Sequence, residues 1–326
     1  MSSRAAHALP RLAVTVGDPA GIGPEIVLAA IGRSEVRAAA RLLVVGPEAL
    51  RPPAVPRVTD AGGLHDLEWL ATEGPEVWDM GRDQAECGRA ALAALRAGSE
   101  LARSGRVDGL VTAPVSKRAL HLAGEPVEGQ TELLARWAGA ERCEMLGIAG
   151  RLRVMLLTRH LPLRSAIANI DPAAVERGLL LLDETLRELG ISDPRLALAG
   201  LNPHAGEGGL LGSEEGDILA PAVQRLRARG LDVTGPVSPD TVFLAASEGA
   251  YDGVLALYHD QAFIPLKLLS RDRGLTILAG LSYLRVSPVH GTAYDIAGSG
   301  RASAENIVQA ILSAAAWAAA RRTTHP

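Results

Sequence analysis

The chain has 326 residues, of which 48% are hydrophobic and 21% are charged, and its formal net charge is −4. This length predicts two domains with a large core, and the net charge, without a long basic run, argues against a nucleic-acid partner. The two cysteines lack CxxC spacing, and no apolar run is long enough for a signal peptide or membrane span. We therefore expect a soluble cytoplasmic protein with no disulfide framework and no membrane partner.

Short apolar runs alternate with longer helical patterns along the chain. Continuous apolar runs are typical of parallel strands buried on both faces, and the repeated strand-then-helix order predicts an α/β fold. Proline and glycine between residues 51 and 65 predict a surface loop, and we expect the arginine-rich C-terminal tail to fray. The predicted strands are 11–17, 41–46, 108–114, 153–158, 195–201 and 252–258, and the predicted helices are 85–105, 171–190 and 303–320.

Polar side chains follow almost every predicted strand. The segments after the strands read DPAGIGPE, VSKR, RHLPLR, NPHAGEGG and HDQ, and ligands of open α/β sheets bind beyond the carboxyl ends of strands. Three of these ends carry a histidine: His160, His204 and His259. Imidazole is a common metal ligand, so the three together predict a metal site, with Asp240 and Asp260 as oxygen candidates. Each histidine alone is as readily a helix cap or a satisfied surface group.

Two further groups of residues are typical of anion and cofactor binding. Lys267, Thr276 and Arg285 suit an anionic substrate, although lysine and arginine are usually solvated surface charges. Gln130 and Thr131 begin a helical pattern, where they either hold an anion or simply cap the helix. The glycine-rich stretch HGTAYDIAGSG (290–300) precedes a helix and suits an adenosine, whereas the GxGxxG fingerprint is absent.

These segments together resemble the 4-hydroxythreonine-4-phosphate dehydrogenase family of vitamin B6 biosynthesis. The resemblance runs nearly from end to end, and its opening and closing motifs are also similar to those of the isocitrate/isopropylmalate dehydrogenase superfamily. The motifs that carry it are GDPAGIGPEI, VTAPVSK, GQTELLA, RHLPLR, LNPHAGEGG, SPDTVF, YHDQAFIPLK and HGTAYDIAGSG.

The resemblance implies a two-domain α/β/α fold with the active site in the interdomain cleft. Residues 1–135 and 286–326 would form the domain with the cofactor loop, and residues 136–285 the domain with the metal histidines and dimer interface. It also implies a homodimer that uses NAD or NADP and a divalent metal, which could be zinc, cobalt, magnesium or manganese. Such an enzyme oxidises 4-phosphooxy-L-threonine to 2-amino-3-oxo-4-phosphooxybutanoate, which loses CO2 to give 3-amino-2-oxopropyl phosphate.

The site residues that the resemblance implies fall into three groups, and one metal histidine would come from the other subunit. The general base stays open among Lys117, Asp240 and Asp260. The implied metal ligands are His160, His204 and His259, the substrate-binding residues are Gln130, Thr131, Lys267, Thr276 and Arg285, and the cofactor-binding residues are His290, Gly291, Thr292, Ala293, Asp295 and Ile296.

Three positions depart from the family pattern. Gln130 stands where histidine is usual, Thr276 where asparagine is usual, and Val289 where aspartate is usual. Glutamine does not titrate near neutral pH, so it can recognise a polar group but cannot shuttle a proton. The substrate could therefore instead be a phosphorylated threonate or erythronate, or an aromatic dihydrodiol carboxylate.

Two alternatives come from other functional classes. The histidines alone would also suit a metal-dependent hydrolase or lyase without a cofactor, against which the 290–300 loop argues. A non-catalytic metabolite-binding protein is disfavoured because binding alone rarely requires an open metal site.

Overall fold

The chain forms two compact units in a computed structural model that describes residues 9–60, 62–63, 65–127, 129–270 and 273–324. The first unit combines Met1–Glu141 with Leu281–Pro326, and the second is the intervening stretch Arg142–Gly280. In the described part of the chain, no helix is both long and apolar enough to cross a membrane.

The first unit is built on a six-stranded sheet in which every paired strand runs parallel to its neighbour. Its strand order is β3-β4-β2-β1-β5-β12. The strands are β1 (Arg11–Thr15), β2 (Arg41–Pro47), β3 (Arg57–Val58), β4 (Leu67–Thr72), β5 (Gly109–Thr112) and β12 (Leu284–Pro288), and the helices are α1 (Gly23–Ile31), α2 (Ser34–Ala39), α3 (Ala85–Arg103), α4 (Lys117–Leu122), α5 (Gln130–Ala138) and α11 (Glu305–Thr324).

The second unit has a mixed sheet with the strand order β11-β6-β7-β10-β8-β9. Strands β7, β10, β8 and β9 are parallel, whereas β6 pairs antiparallel with both β7 and β11. The strands are β6 (Glu144–Ala149), β7 (Leu152–Leu156), β8 (Leu196–Ala199), β9 (Val233–Val237), β10 (Gly253–Ala256) and β11 (Leu275–Ala279), and the helices are α6 (Leu163–Ala168), α7 (Pro172–Glu188), α8 (Ala220–Ala228), α9 (Val242–Glu248) and α10 (His259–Ser270).

The predicted α/β class is confirmed, and all six predicted strands are present. Strands β1, β5, β8 and β10 are buried almost throughout, because helices cover both faces of a parallel sheet and leave no polar face. Helix α7 begins as its Asp-Pro pair predicts, since Asp171 Oδ1 accepts a hydrogen bond from the Ala174 amide at 2.7 Å.

Two local predictions need correction. The arginine-rich tail does not fray, because helix α11 continues to Thr324 and Arg322 Nε donates to Asp108 Oδ1 at 2.8 Å. This ion pair holds the last turns of the helix against the segment that leads into β5. The predicted loop 51–65 also contains the short strand β3, which pairs with β4.

Candidate active site

Strands β7, β10 and β8 lie side by side and parallel, so their carboxyl ends meet at one edge of the second unit's sheet. Buried side chains join these ends. Thr158 Oγ1 donates to the Leu257 carbonyl at 2.8 Å. Gln261 accepts from the Leu257 amide and donates to the Gly200 carbonyl, both at 2.7 Å. The segments that carry the three predicted metal histidines therefore leave the sheet from fixed positions.

His160 and His259 are brought together at this edge, with their ring centroids 5.5 Å apart. His259 opens helix α10 and stacks on Phe263, one turn further along, with centroids 4.7 Å apart and ring planes at 3°. Its Nδ1 donates to Asp260 Oδ1 at 2.7 Å. That bond orients the ring and leaves Nε2 as the atom suited to bind a metal.

The spacing of this pair fits shared coordination of one ion. Two imidazoles that bind zinc through nitrogens at about 2.0–2.1 Å have ring centroids roughly 5 Å apart. Throughout the residues that the structure describes, however, no three His, Cys, Asp or Glu side chains lie close enough to hold one ion. A single chain thus places two of the predicted ligands together, and His204 does not join them.

His204 lies in a backbone segment of unusual conformation. Residues 204–208 all have positive φ, with values of 53°, 52°, 77°, 45° and 66°. Three of these five are not glycine, namely His204, Ala205 and Glu207, and each such residue in the left-handed region costs roughly 1–2 kcal/mol. The surrounding contacts must offset this strain, and strain of this kind is concentrated at functional loops.

In the first unit, Arg285, Thr112 and Gln130 form a polar group that we call the Arg285 cluster. Arg285 lies on β12 and is only 4% exposed. Its Nη2 donates to Thr112 Oγ1 at 2.7 Å and reaches Gln130 Oε1 at 3.5 Å. Gln130 Nε2 in turn donates to the Ala113 carbonyl at 3.0 Å. Thr112 and Gln130 thus orient a buried guanidinium, the side-chain group whose planar donors best match a phosphate or carboxylate.

The other predicted substrate-binding residues are distributed over both units. Thr131 lies beside Gln130 in the first turn of α5, in the first unit. Lys267 is exposed on α10, and Thr276 is buried on β11 opposite Gly147 of β6, both in the second unit. In the first unit, Arg285 and Gln130 are in contact, and Thr131 is the next residue along α5.

The predicted cofactor loop, residues 290–296, is fixed to the loop that follows β1. The Ile22 amide donates to the Thr292 carbonyl at 3.0 Å. Tyr294 Oη donates to Asp18 Oδ2 at 2.7 Å, and Asp18 is fully buried. Burial raises the pKa of Asp18, although the hydrogen bonds from Tyr294 and the Ala20 amide oppose that rise. The two glycine-rich motifs of the sequence are thus neighbours in the first unit.

The remaining members of this loop are half-buried, except for the exposed Gly291 and Asp295. His290 Nδ1 lies 3.1 Å from the Gly291 carbonyl. Ala293 has a φ of 42°, and the Ile296 amide donates to its carbonyl at 3.1 Å. This partly exposed turn, which contains a non-glycine residue with positive φ, is a surface on which a nucleotide could lie.

The three candidate general bases have different surroundings. Lys117 begins α4 in the first unit and is exposed. In the second unit, Asp260 accepts from His259, and Asp240 accepts from Ser238 Oγ at 2.6 Å. These contacts do not single out one of the three.

The sequence did not identify four residues that shape these regions: Asp18, Thr112, Glu215 and Tyr294. Thr112 and Tyr294 act on partners 173 and 276 residues away. Asp18 carried the clearest available signal, because it directly follows the glycine that ends the first predicted strand. Glu215 supports the His204 segment through several hydrogen bonds, which are described below.

Comparison with known proteins places this chain among dehydrogenases. The profile of the family "Pyridoxal phosphate biosynthetic protein PdxA" matches residues 26–314. The chain is 42% identical to a D-threonate 4-phosphate dehydrogenase of Salmonella typhimurium, over 92% of this chain and 96% of the relative. It is 43% identical to a 4-hydroxythreonine-4-phosphate dehydrogenase of Geobacter metallireducens, over 95% and 96%.

A crystal structure shows the same similarity. The 4-hydroxythreonine-4-phosphate dehydrogenase of Klebsiella pneumoniae superposes with a TM-score of 0.85 at 39% identity. The alignment covers 95% of this chain and 99% of that one. The shared fold therefore extends over essentially the whole of both chains.

Proposed function

Because this chain belongs to the pyridoxal phosphate biosynthetic protein PdxA family and is an oxidoreductase that acts on a CH–OH group, we propose that it is a metal- and NAD(P)-dependent dehydrogenase of 4-phosphooxy-L-threonine. The product, 2-amino-3-oxo-4-phosphooxybutanoate, would lose CO2 to give 3-amino-2-oxopropyl phosphate, a step of vitamin B6 biosynthesis. We further propose a cytoplasmic enzyme, in keeping with its two cysteines, both of which are buried.

The observation that carries this proposal is the Arg285 cluster. The planar guanidinium of Arg285 matches a phosphate or carboxylate in shape and charge, and its bond to the Thr112 hydroxyl fixes its orientation in a site where it is only 4% exposed. We assign Gln130 and Thr131 to the same anion, because they begin helix α5, whose N-terminal amides favour negative charge. We also assign Lys267 and Thr276 to the substrate.

We assign the metal to His160, His204 and His259. The 5.5 Å separation of the His160 and His259 rings supports this assignment, as does the carboxylate on His259 Nδ1. A third imidazole from the partner subunit would complete the site. Histidine ligands favour zinc or cobalt over magnesium or manganese. The ion would polarise the substrate alcohol, and nicotinamide would accept the hydride.

The cofactor is assigned to the 290–296 loop. Its anchoring by Asp18 and Ile22 supports a preformed adenosine site, because a fixed loop loses little entropy on binding. We assign the contacts to His290, Gly291, Thr292, Ala293, Asp295 and Ile296, and the choice between NAD and NADP is left to the assay described below.

The exposed face of helix α10 supports a homodimer. Ile264, Leu268 and Leu269 on this helix are 60%, 75% and 48% exposed, and Leu244 of α9 is 60% exposed. These side chains border a pocket of about 500 Å³. Contiguous exposed apolar surface of this kind marks an interface. Since His259 begins the same helix, a partner docked on α10 would lie close to the metal histidines.

D-threonate 4-phosphate is the second candidate substrate. A relative named for that activity is 42% identical to this chain, nearly as similar as one named for 4-hydroxythreonine 4-phosphate. The two substrates share the phosphate and carboxylate and differ at C2, which carries a hydroxyl or an ammonium group. Gln130, in the Arg285 cluster, is neutral. It therefore adds no negative charge that would favour the ammonium group over the hydroxyl group.

The test is NAD(P)H formation by the purified protein with each substrate, each cofactor and added divalent metal. Phosphorylated erythronate serves as a third substrate. We expect turnover of 4-phosphooxy-L-threonine that His204→Ala abolishes and that His65→Ala, a change at an exposed histidine, leaves intact. Turnover of D-threonate 4-phosphate alone would transfer the assignment to that substrate. Absence of turnover with every combination would refute the proposal.

A further inference from the structure

The loop from Asn202 to Gly209 holds its shape through contacts that lie outside it. Five consecutive residues, 204–208, occupy the left-handed region, and the non-glycine members do so against their intrinsic preference. Within the loop, the Ala205 amide donates to the Asn202 carbonyl at 3.1 Å, and the Leu211 amide donates to the Gly206 carbonyl at 3.1 Å. These bonds close the turn but do not fix it to the rest of the second unit.

A buried carboxylate provides that attachment. Glu215 is 6% exposed, and its Oε1 accepts from the amides of Leu201 at 2.8 Å and Asn202 at 2.7 Å. Its Oε2 accepts from Asn202 Nδ2 at 2.9 Å, and Glu214 accepts from the same nitrogen at 2.8 Å. Three donors, all from the two residues just before the turn, therefore converge on one side chain.

The side-chain chemistry at this position is specific. A carboxylate presents acceptors at both ends, which matches donors arriving at both oxygens. A glutamine of the same shape would keep one acceptor and turn an NH2 group toward a donor. Burial raises the pKa of Glu215, but the hydrogen bonds from Asn202 and Leu201 outweigh it and hold the pKa below its usual value. The charged form is therefore the form that supports the loop.

Gly200, which precedes Leu201 and Asn202, is held by two hydrogen bonds to other segments of the second unit. The Gly200 amide donates to the Val237 carbonyl at 2.7 Å, and Gln261 Nε2 donates to the Gly200 carbonyl at 2.7 Å. Gln261 lies two residues after His259 on helix α10. Residues 200–202 thus form a fixed support from which the strained turn projects His204.

We propose that Glu215 is the positioning residue of His204: its carboxylate holds the strained turn in the one conformation that presents this imidazole to a metal. This inference rests on the assignment of His204 as a metal ligand. The role of Glu215 is to act on His204 through Leu201 and Asn202.

The test measures zinc binding to the full-length protein after its metal has been removed, by isothermal titration calorimetry. Loss of a supporting residue behind a metal ligand typically weakens metal affinity about 10–100-fold, and we expect Glu215→Gln to do so. Glu248→Gln, a change at an exposed glutamate at the end of α9, is the matched control and should bind zinc as the wild type does.

A rescue experiment separates positioning from general stability. Replacing Ala205 and Glu207 by glycine removes the cost of positive φ, because glycine adopts that conformation freely. In the Glu215→Gln background, this double change should restore at least part of the lost affinity. If Glu215→Gln does not fold, Asn202→Ala takes its place. It removes the side-chain bonds from Asn202 to Glu215 and Glu214 and keeps both backbone bonds to Glu215, so we expect a smaller loss of about 3–10-fold, below the range for the whole support.

The outcomes separate this inference from the proposed function. If the wild type binds zinc, His204→Ala does not, and Glu215→Gln binds as the wild type does, the positioning role is refuted while the metal assignment stands. Weakened binding that the glycine changes do not restore would also refute it, since the carboxylate would then act on the unit as a whole. If the wild type binds no zinc, the metal assignment and this inference fail together.

Discussion

Glu144 makes the stability of this protein depend on pH in a direction unusual for a carboxylate. It lies on β6, and burial raises its pKa from 4.5 to about 7, while the nearby Arg159 lowers it. The Arg159 Nε atom is 3.5 Å from Glu144 Oε2, and the glutamate side chain is 30% exposed. The charge of Arg159 therefore offsets only part of the cost of burying the carboxylate. Near neutral pH, the protonated form of Glu144 is favoured more than in an exposed glutamate.

The sign and size of the effect follow from this pKa. Between about pH 4.5 and 7, the folded state holds a proton that the unfolded state has released, so stability falls as the pH rises through this window. A pKa of about 7 instead of 4.5 corresponds to at most about 3 kcal/mol at 1.36 kcal/mol per pKa unit. Since the side chain is partly exposed, solvent screening reduces this to roughly 1–2 kcal/mol.

Glu144→Gln should remove this dependence, because glutamine resembles the protonated acid at every pH. We expect the variant to match the wild type near pH 5 and to melt roughly 2–8 °C higher at pH 8.5, at about 2–4 °C per kcal/mol. Calorimetric melting curves from pH 5 to 9 provide the measurement. Glu184→Gln, at an exposed position of α7, is the control. A Tm difference that stays constant with pH, or a variant that is less stable at pH 8.5, would refute the reasoning.

Three further predictions concern the Arg285 cluster, the loop that follows β1 and the exposed face of α10. Thr112→Val removes an acceptor from the buried Arg285 and should cost about 1–3 kcal/mol of stability, with a higher KM for the phosphorylated substrate; an unchanged KM would contradict the role of the cluster. Gly17→Ala places a Cβ 2.3 Å from the Pro114 carbonyl oxygen at a φ of +73°, so we expect a loss of at least about 2 kcal/mol in calorimetry, and a wild-type Tm would contradict it. Leu268→Glu should convert the proposed homodimer to monomer in sedimentation velocity without changing the circular dichroism; a dimer that persists in this variant would contradict an interface on α10.

The six strands predicted from the sequence are continuous apolar runs, whereas most of the missed strands contain charged residues or proline; β11 was missed although all five of its residues are buried. Strands such as β1 and β8 consist almost entirely of buried apolar residues. Strand β6 begins with Glu144, and β12 contains Arg285 and Ser287. A buried ionic side chain is recognised as part of a strand only when its neighbours in space are known, because its burial depends on partners from other strands.

The same limit applies to the candidate site. His160 and His259 were predicted as site residues because they belong to a set of histidines at predicted strand ends, and Arg285 because a basic side chain suits an anionic substrate. Thr112 lies inside an apolar run and looks like an ordinary strand residue until Arg285 is placed against it, 173 positions away. Tyr294 is likewise one of several residues in a glycine-rich loop, and only the buried Asp18 distinguishes it. Long-range pairing therefore separates what the sequence could predict from what it could not.

The division of the first unit into two chain segments has a consequence for the order of biosynthesis. Strand β12 pairs with β5, and helix α11 packs against both strands. Between the end of β5 at Thr112 and the start of β12 at Leu284 lie 171 residues of the chain. The ribosome must therefore complete the whole of residues 142–280 before the first sheet receives its last strand. The second unit is contiguous and can close its own core during synthesis. The N-terminal segment, although made first, would be the last to reach its final structure, and the edge of β5 that pairs with β12 would stay open to pairing with other chains during that interval.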